Sequence, residues 1–318
     1  MVDLRCQIIL EKTEQIPSET IVQEDIKRGS RLGALSELMK FRLSSLVVFS
    51  ALISYCTVQL HPDWLVLAML CLGGFLVTGA SNGFNQIIEK DLDRQMKRTM
   101  SRPLPTSRIT TSESLIFCFL VLLGGIAVLW YFHNLLTAII GLSSALLYAL
   151  AYTPLKRHTP FAVFVGAIPG ALPPLIGAVA ATSGFGEITY EAWLLFAIQF
   201  IWQFPHFWAI AWVLHDDYQQ AGFFMLPSLS GRSKASAFQI FIYTLFLIPI
   251  SILPCVFLFN SWITGAVIFS AGLWFLMHAY KLYRENSIEA ARKLMFASFV
   301  YLPIVQLLIL IGKWIQQA

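Results

Sequence analysis

Residues 64–108 read WLVLAMLCLGGFLVTGASNGFNQIIEKDLDRQMKRTMSRPLPTSR, and a change of character inside this stretch decides the fold. The first part, to Ile88, is an apolar run near the roughly 20 residues needed to cross about 30 Å of hydrocarbon. Lipid offers no partner to a backbone N–H or C=O, so a run this long and apolar is a helix. The second part is charged: Glu89, Asp91 and Asp93, then Arg94, Lys97, Arg98, Arg102 and Arg108. Asn85, Glu89 and Asp93 stand four residues apart. Each step of four drifts only about 40° around a helix, so the three side chains share one face.

Eight further apolar runs flank this one, at approximately 43–60, 113–131, 135–152, 160–180, 192–214, 238–258, 262–281 and 295–313. The 318-residue chain is 57% hydrophobic and 13% charged, which excludes an ordinary soluble domain. The reading is an all-α polytopic membrane protein with nine transmembrane helices. Residues 1–40 are expected to be a cytoplasmic N-terminal tail and 41–318 the transmembrane domain. The tail mixes Glu11, Glu14, Glu19, Glu24 and Asp25 with Lys27, Arg28 and Arg31. That composition fits neither a secretory signal nor a mitochondrial presequence. Leu32 to Arg42 is read as an amphipathic helix at the interface. Five cysteines without a CxxC pair argue against a disulfide framework or zinc site.

The cations give the orientation. Of 22 Lys and Arg, all but Lys313 fall in the tail through Arg42 or in the loops after the second, fourth, sixth and eighth runs. By the positive-inside rule the N-terminus is cytoplasmic and the C-terminus outside. This alternation also supports an odd count of nine. The long loops, 89–112 and 215–237, both fall on the cytoplasmic side, which makes that side the working face.

Three acids within five residues repel one another unless cations neutralise them. Carboxylates suit a divalent cation, and arginine and lysine suit the phosphates it bridges. Asp216 and Asp217 form a second acidic cluster on the same side. The two clusters and their cations point to a magnesium–diphosphate site; solvated helix ends with i,i+4 ion pairs are the plainer alternative. Lys156 and Arg157, taken alone, read first as topology determinants. Pro169, Pro173 and Pro174, with Gly166 and Gly170, are expected to break or kink their span and line a pocket. His206 lies inside an apolar run, where an ionisable group points to function; His278 is assigned to packing. Nine spans and a proline-rich helix also suit a transporter, but transporter sites sit near the midplane and often come in repeated halves.

Asn85–Pro103, Tyr152–Arg157, Gly166–Pro174 and Trp202–Pro227 resemble the intramembrane aromatic prenyltransferase superfamily, and within it the branch that acts on haem. The family's NxxxDxxxD stands here as Asn85, Glu89 and Asp93, with a longer middle carboxylate. Its second motif, DxxxD in many relatives, is replaced by adjacent Asp216 and Asp217. That departure, with Pro205-His206-Phe-Trp, looks like the haem branch and argues against the quinone and chlorophyll branches. The resemblance implies a central cavity open to the cytoplasmic side and transfer of farnesyl from farnesyl diphosphate to protohaem IX. It implies Mg2+, with Asn85, Glu89 and Asp93 catalytic, and these three with Asp216 and Asp217 as metal ligands. Arg98, Arg102, Lys156 and Arg157 would bind diphosphate or propionates, and His206 would bind haem. The implied setting is a bacterial plasma membrane, with the lipid bilayer around the chain, a haem A synthase as partner and no nucleic acid.

Overall fold

In a computed structural model, residues 30–258 and 261–317 are described; the tail expected over 1–40 lies outside them as far as residue 29. The elements are α1 (Arg31–Leu38), α2 (Phe41–Val58), α3 (Trp64–Asp93), α4 (Thr111–Phe132) and α5 (Leu135–Leu146). A π-helical stretch, Leu147–Tyr152, and a short turn, Thr153–Leu155, prolong α5. Then come α6 (Ala162–Ala180), α7 (Tyr190–Val213), α8 (His215–Gln220), α9 (Lys234–Phe257), α10 (Trp262–Glu285) and α11 (Ile288–Gln317). Among the described residues nine helices are long and apolar enough to cross a membrane, as expected: α2, α3, α4, α5 with its continuation, α6, α7, α9, α10 and α11.

Several helices outrun their apolar runs. α3 continues to Asp93, so the acidic triad is helical, and α11 begins at Ile288. Hydropathy marks only the part of a helix that lipid surrounds, whereas the backbone ladder continues wherever caps allow. Asp63 accepts from the amides of Leu65 and Val66 to start α3, and Thr110 with Glu113 forms a capping box for α4. The expected interfacial helix over Leu32–Arg42 is interrupted. α1 ends at Leu38, Lys40 takes a left-handed φ of 49°, and Phe41 and Arg42 already belong to α2.

α3 packs on α2 and α4, and α6 on α2, α5 and α7. α7 meets α9 and α11, and α11 returns to α2, so the first and last spans touch. The approach of α2 to α6 is closest at Gly177, where a Cβ would run into the Ala51 carbonyl.

The three prolines do not break α6, which runs without interruption from Ala162 to Ala180. Each proline removes an N–H and frees the carbonyl four residues earlier. Pro174 frees Gly170 O, which accepts Gln199 Nε2 at 2.8 Å and Gln203 Nε2 at 2.7 Å. Pro173 frees Pro169 O, which accepts Ser144 Oγ at 3.3 Å. Gln306 Nε2 then donates to Gln199 Oε1 (3.0 Å) and Ser50 Oγ to Gln306 Oε1 (3.2 Å). Neighbouring helices thus repair the ladder, as buried membrane backbone requires.

Candidate active site

The end of α3 carries Asn82, Asn85, Gln86, Glu89 and Asp93, all buried. Gln86 Nε2 donates to Leu38 O (2.7 Å) and Asn82 Nδ2 to Ser44 Oγ (3.3 Å), which hold this face against α1 and α2. Lys40 Nζ donates to Asn82 Oδ1 at 3.4 Å. The turn at Lys40 therefore brings an ammonium back over the α3 face. Asn85 Nδ2 donates to Thr153 Oγ1 at 3.1 Å, and its amide oxygen is left to face other groups.

The two carboxylates are both engaged by cations. Asp93 accepts Arg102 Nη1 through both oxygens, at 2.7 and 2.9 Å, and its side chain is fully buried. Thr99 Oγ1 donates to the Asp93 carbonyl at 2.9 Å and pins the chain that returns Arg102. Glu89 forms an ion pair with Lys156. Its Oε1 lies close to the ammonium yet has no directed hydrogen bond.

Lys156 follows the π-helical stretch, whose extra residue per turn re-aims the side chains after it. Its Nζ lies 4.9 Å from the Tyr152 ring centre and 5.2 Å from that of Phe223. Gly166 admits the Tyr152 ring, since a Cβ there would come within 2.6 Å of it. Phe224 N donates to Lys156 O at 2.8 Å, and Met96 shares a hydrophobic cluster with Phe223, Met225 and Leu226. The loops after α3 and α8 therefore meet beside the ion pairs.

The groups form one electrostatic neighbourhood. Burial, and then the positive charges of Arg102 and Lys156, push the Lys40 ammonium down to about 7, with Arg98 adding to the push and Glu89 opposing it. Burial raises the Tyr218 phenol; Glu89 and Asp217 push it further and Arg98 and Arg102 pull it back. Four cations thus surround two buried acids, an excess of positive charge that suits an anion.

The structure brings together Asn85, Glu89, Asp93, Arg102 and Lys156, with Arg98 within range by its field. Arg157 is exposed. Asp216 is also exposed and its carboxylate takes Arg232 at 3.0 Å. Among the described residues no three His, Cys, Asp or Glu side chains converge as a metal-holding group. The five expected metal ligands are therefore not gathered into one cluster. His206 packs between α7 and α11 and not among the acids. Its Nδ1 is 2.8 Å from Ser298 Oγ and its ring stacks on Trp202 at 4.2 Å.

Sequence reasoning passed over Lys40, Tyr152, Tyr218 and Phe223 as site residues. Lys40 reads in the sequence as one more topology charge, and its role depends on a left-handed turn that no local pattern announces. Tyr152 lies inside a segment that stands out for its cations.

Among the described residues, nine candidate spans with buried acids and cations at the end of one of them make a membrane protein whose charged site lies at one end of the bundle. Residues 46–300 match the UbiA prenyltransferase family, and the chain belongs to that family. It is 45% identical over 286 residues to the protoheme IX farnesyltransferase of Cytophaga hutchinsonii, covering 90% of this chain and 99% of that relative. It is 43% identical over 294 residues to the protoheme IX farnesyltransferase of Christiangramia forsetii, covering 91% of this chain and 96% of the relative. Among solved structures, a digeranylgeranylglyceryl phosphate synthase superposes with a TM-score of 0.72 at 22% identity, over 89% of this chain and 98% of that one. A UbiA homolog from Archaeoglobus fulgidus bound to GPP and Mg2+ does so with a TM-score of 0.59 at 12% identity, over 89% and 98%.

Proposed function

We propose that this protein transfers the farnesyl group of farnesyl diphosphate to a vinyl group of protohaem IX, giving haem O and diphosphate. The observation that carries this reading is the buried Asn85–Glu89–Asp93 face ringed by Lys40, Arg98, Arg102 and Lys156, in a chain 45% identical to a protoheme IX farnesyltransferase along almost its whole length.

The donors on this face fit magnesium. They are hard oxygens, two carboxylates and an amide, buried on one helix face. Asn85, Glu89 and Asp93 would hold the ion; of the second pair Asp216 is taken by Arg232, which leaves Asp217 as the further candidate. The bound metal supplies charge neutralisation to the leaving diphosphate. That the Archaeoglobus fulgidus homolog holds Mg2+ and a prenyl diphosphate supports the assignment.

Arg102 and Lys156 now neutralise the two acids, and both are placed to turn to diphosphate oxygens as substrate and metal arrive. Lys40 and Arg98 add positive charge where the leaving group gains negative charge, which favours scission of the allylic C–O bond. The electron pair leaves with diphosphate. The ring faces of Tyr152 and Phe223, already stacked about a cation, screen the allylic carbocation. The vinyl π electrons form the new C–C bond, and water adds at the remaining electron-poor carbon with loss of a proton. The product carries a hydroxyethylfarnesyl chain. Arg157, exposed beside the site, is assigned to haem propionates, and His206 to the haem iron.

The same reading includes a central cavity open to the cation-rich face, that face being cytoplasmic in a bacterial plasma membrane, and a haem A synthase as the partner that takes up the product. The test is to express the chain in membranes lacking this activity, supply protohaem and farnesyl diphosphate, and seek the farnesylated, hydrated haem by mass. Absence of that mass, with the protein present and folded, overturns the reading.

A further inference from the structure

His206 lies in the last third of α7 and is 8% exposed. Its hydrogen bond to Ser298 on α11 has a defined direction. A serine hydroxyl has one hydrogen, and the Met295 carbonyl, which can only accept, lies 2.6 Å from Ser298 Oγ; we assign the hydrogen to that shorter contact. Toward His206 Nδ1, 2.8 Å away, Ser298 Oγ can then only accept. That assignment puts the imidazole proton on Nδ1 and leaves Nε2 its lone pair. Nε2 has no hydrogen-bond partner among the described residues.

The same residue also orients the ring. Ser298 O accepts Trp202 Nε1 at 3.0 Å, and the Trp202 ring lies parallel to the imidazole, 4.2 Å away and tilted by 17°. Phe299, the next residue of α11, meets the imidazole edge-on at 4.9 Å. Two polar atoms of Ser298 thus determine the ring's tautomer and its plane. A neutral imidazole with one nitrogen committed to an outer oxygen and the other bare is how proteins present histidine to a metal.

We propose that Ser298 is a positioning residue that presents His206 Nε2 to the iron of protohaem. The inference rests on the reading of function above and adds to it the residue that sets the ligand's tautomer. It is tested with the purified full-length protein by optical titration with protohaem and, separately, with metal-free protoporphyrin IX. Ser298→Ala is expected to weaken protohaem binding about 10- to 100-fold, as loss of an outer hydrogen bond to a metal ligand does. The same variant should move the haem absorption spectrum toward that of His206→Ala and leave protoporphyrin affinity unchanged. Ser298→Thr, which keeps the hydroxyl, should restore both affinity and spectrum. Wild-type haem affinity and spectrum in Ser298→Ala would overturn the inference while the proposed function stands. An equal loss for both porphyrins would overturn it as well, since that marks packing and not iron. If the wild-type protein binds no protohaem, the reading of function falls and the inference with it.

Discussion

At the residue scale the site is two buried ion pairs, Glu89–Lys156 and Asp93–Arg102, with a third cation, Lys40, beside them. Removing one partner of such a pair strands the other charge in a poor dielectric. Asp93→Asn leaves Arg102 with a neutral acceptor and takes a carboxylate from the proposed metal. Haem O formation in membranes should fall roughly 100-fold or more, the scale on which single charge-stabilising groups act. Chelation with EDTA should abolish product formation, and added Mg2+ should restore it. Lys40 makes a pH prediction. With its ammonium near 7 it is charged below that pH and neutral above it. An arriving diphosphate favours the charged form, so binding above neutrality takes up a proton. The KM for farnesyl diphosphate should therefore rise as pH goes from about 6 to about 9. Lys40→Met should raise KM at low pH and flatten the profile; a profile unchanged by the substitution would remove Lys40 from the site. The face shared by Asn85, Glu89 and Asp93 was legible in the sequence because spacing of four is a local property. Lys40 was not, because only the left-handed turn before α2 carries it back over α3.

At the scale of elements, α6 is the informative helix. Its three prolines read as a break, yet the helix is continuous because Gln199, Gln203 and Ser144 donate to the carbonyls the prolines free. Sequence shows the lost donors but not the side chains that other helices offer in their place. The small residues of α6 have a different purpose, which is close approach. Gly177→Ala would put a methyl into the Ala51 carbonyl of α2 and should lower the thermal midpoint in detergent, at a cost of about 1–3 kcal/mol or more. Gly124→Ala is the control. Its Cβ would meet nothing within 4 Å, so the midpoint should hold or rise slightly with the better helix former. Equal loss in both variants would show that the contact between α2 and α6 is not the cause.

At the scale of the whole molecule, the positive-inside rule gives the orientation that the proposed function requires, and that orientation can be tested. Among the described residues, all the cations but one fall between α1 and the start of α2 or around the connections that follow the second, fourth, sixth and eighth spans, the side on which α3 ends with its acids. Lys313 is the exception, and it is paired with Glu191 at 3.7 Å and largely enclosed. Its charge is answered locally, and the asymmetry that steers insertion is undisturbed. A reporter active only outside the membrane, fused at the C-terminus, should be active. The same reporter placed at the exposed Leu229–Ser230 in the loop before α9 should be silent. The opposite pattern would put the site on the wrong side for a soluble prenyl diphosphate. The meeting of α2 with α11 is also a property of the whole, since it joins spans more than 200 residues apart, as Ser50 and Gln306 do through their hydrogen bond.

The sequence by itself determined nine apolar helices and the face that Asn85, Glu89 and Asp93 share at the end of α3, and its cations give the expected side of entry. Each follows from a local physical preference: apolar length for lipid, cations for one side of the membrane, and a helical period of 3.6 residues. Only the tertiary structure decided which cations meet which acids. Arg102 reaches Asp93, Lys156 reaches Glu89, and Arg232 takes Asp216 away from both. It alone also brought Ser298, 92 residues along the chain, to within 2.8 Å of His206 Nδ1. Such pairings depend on how helices far apart in sequence pack side by side, and a one-dimensional pattern holds no distance between them.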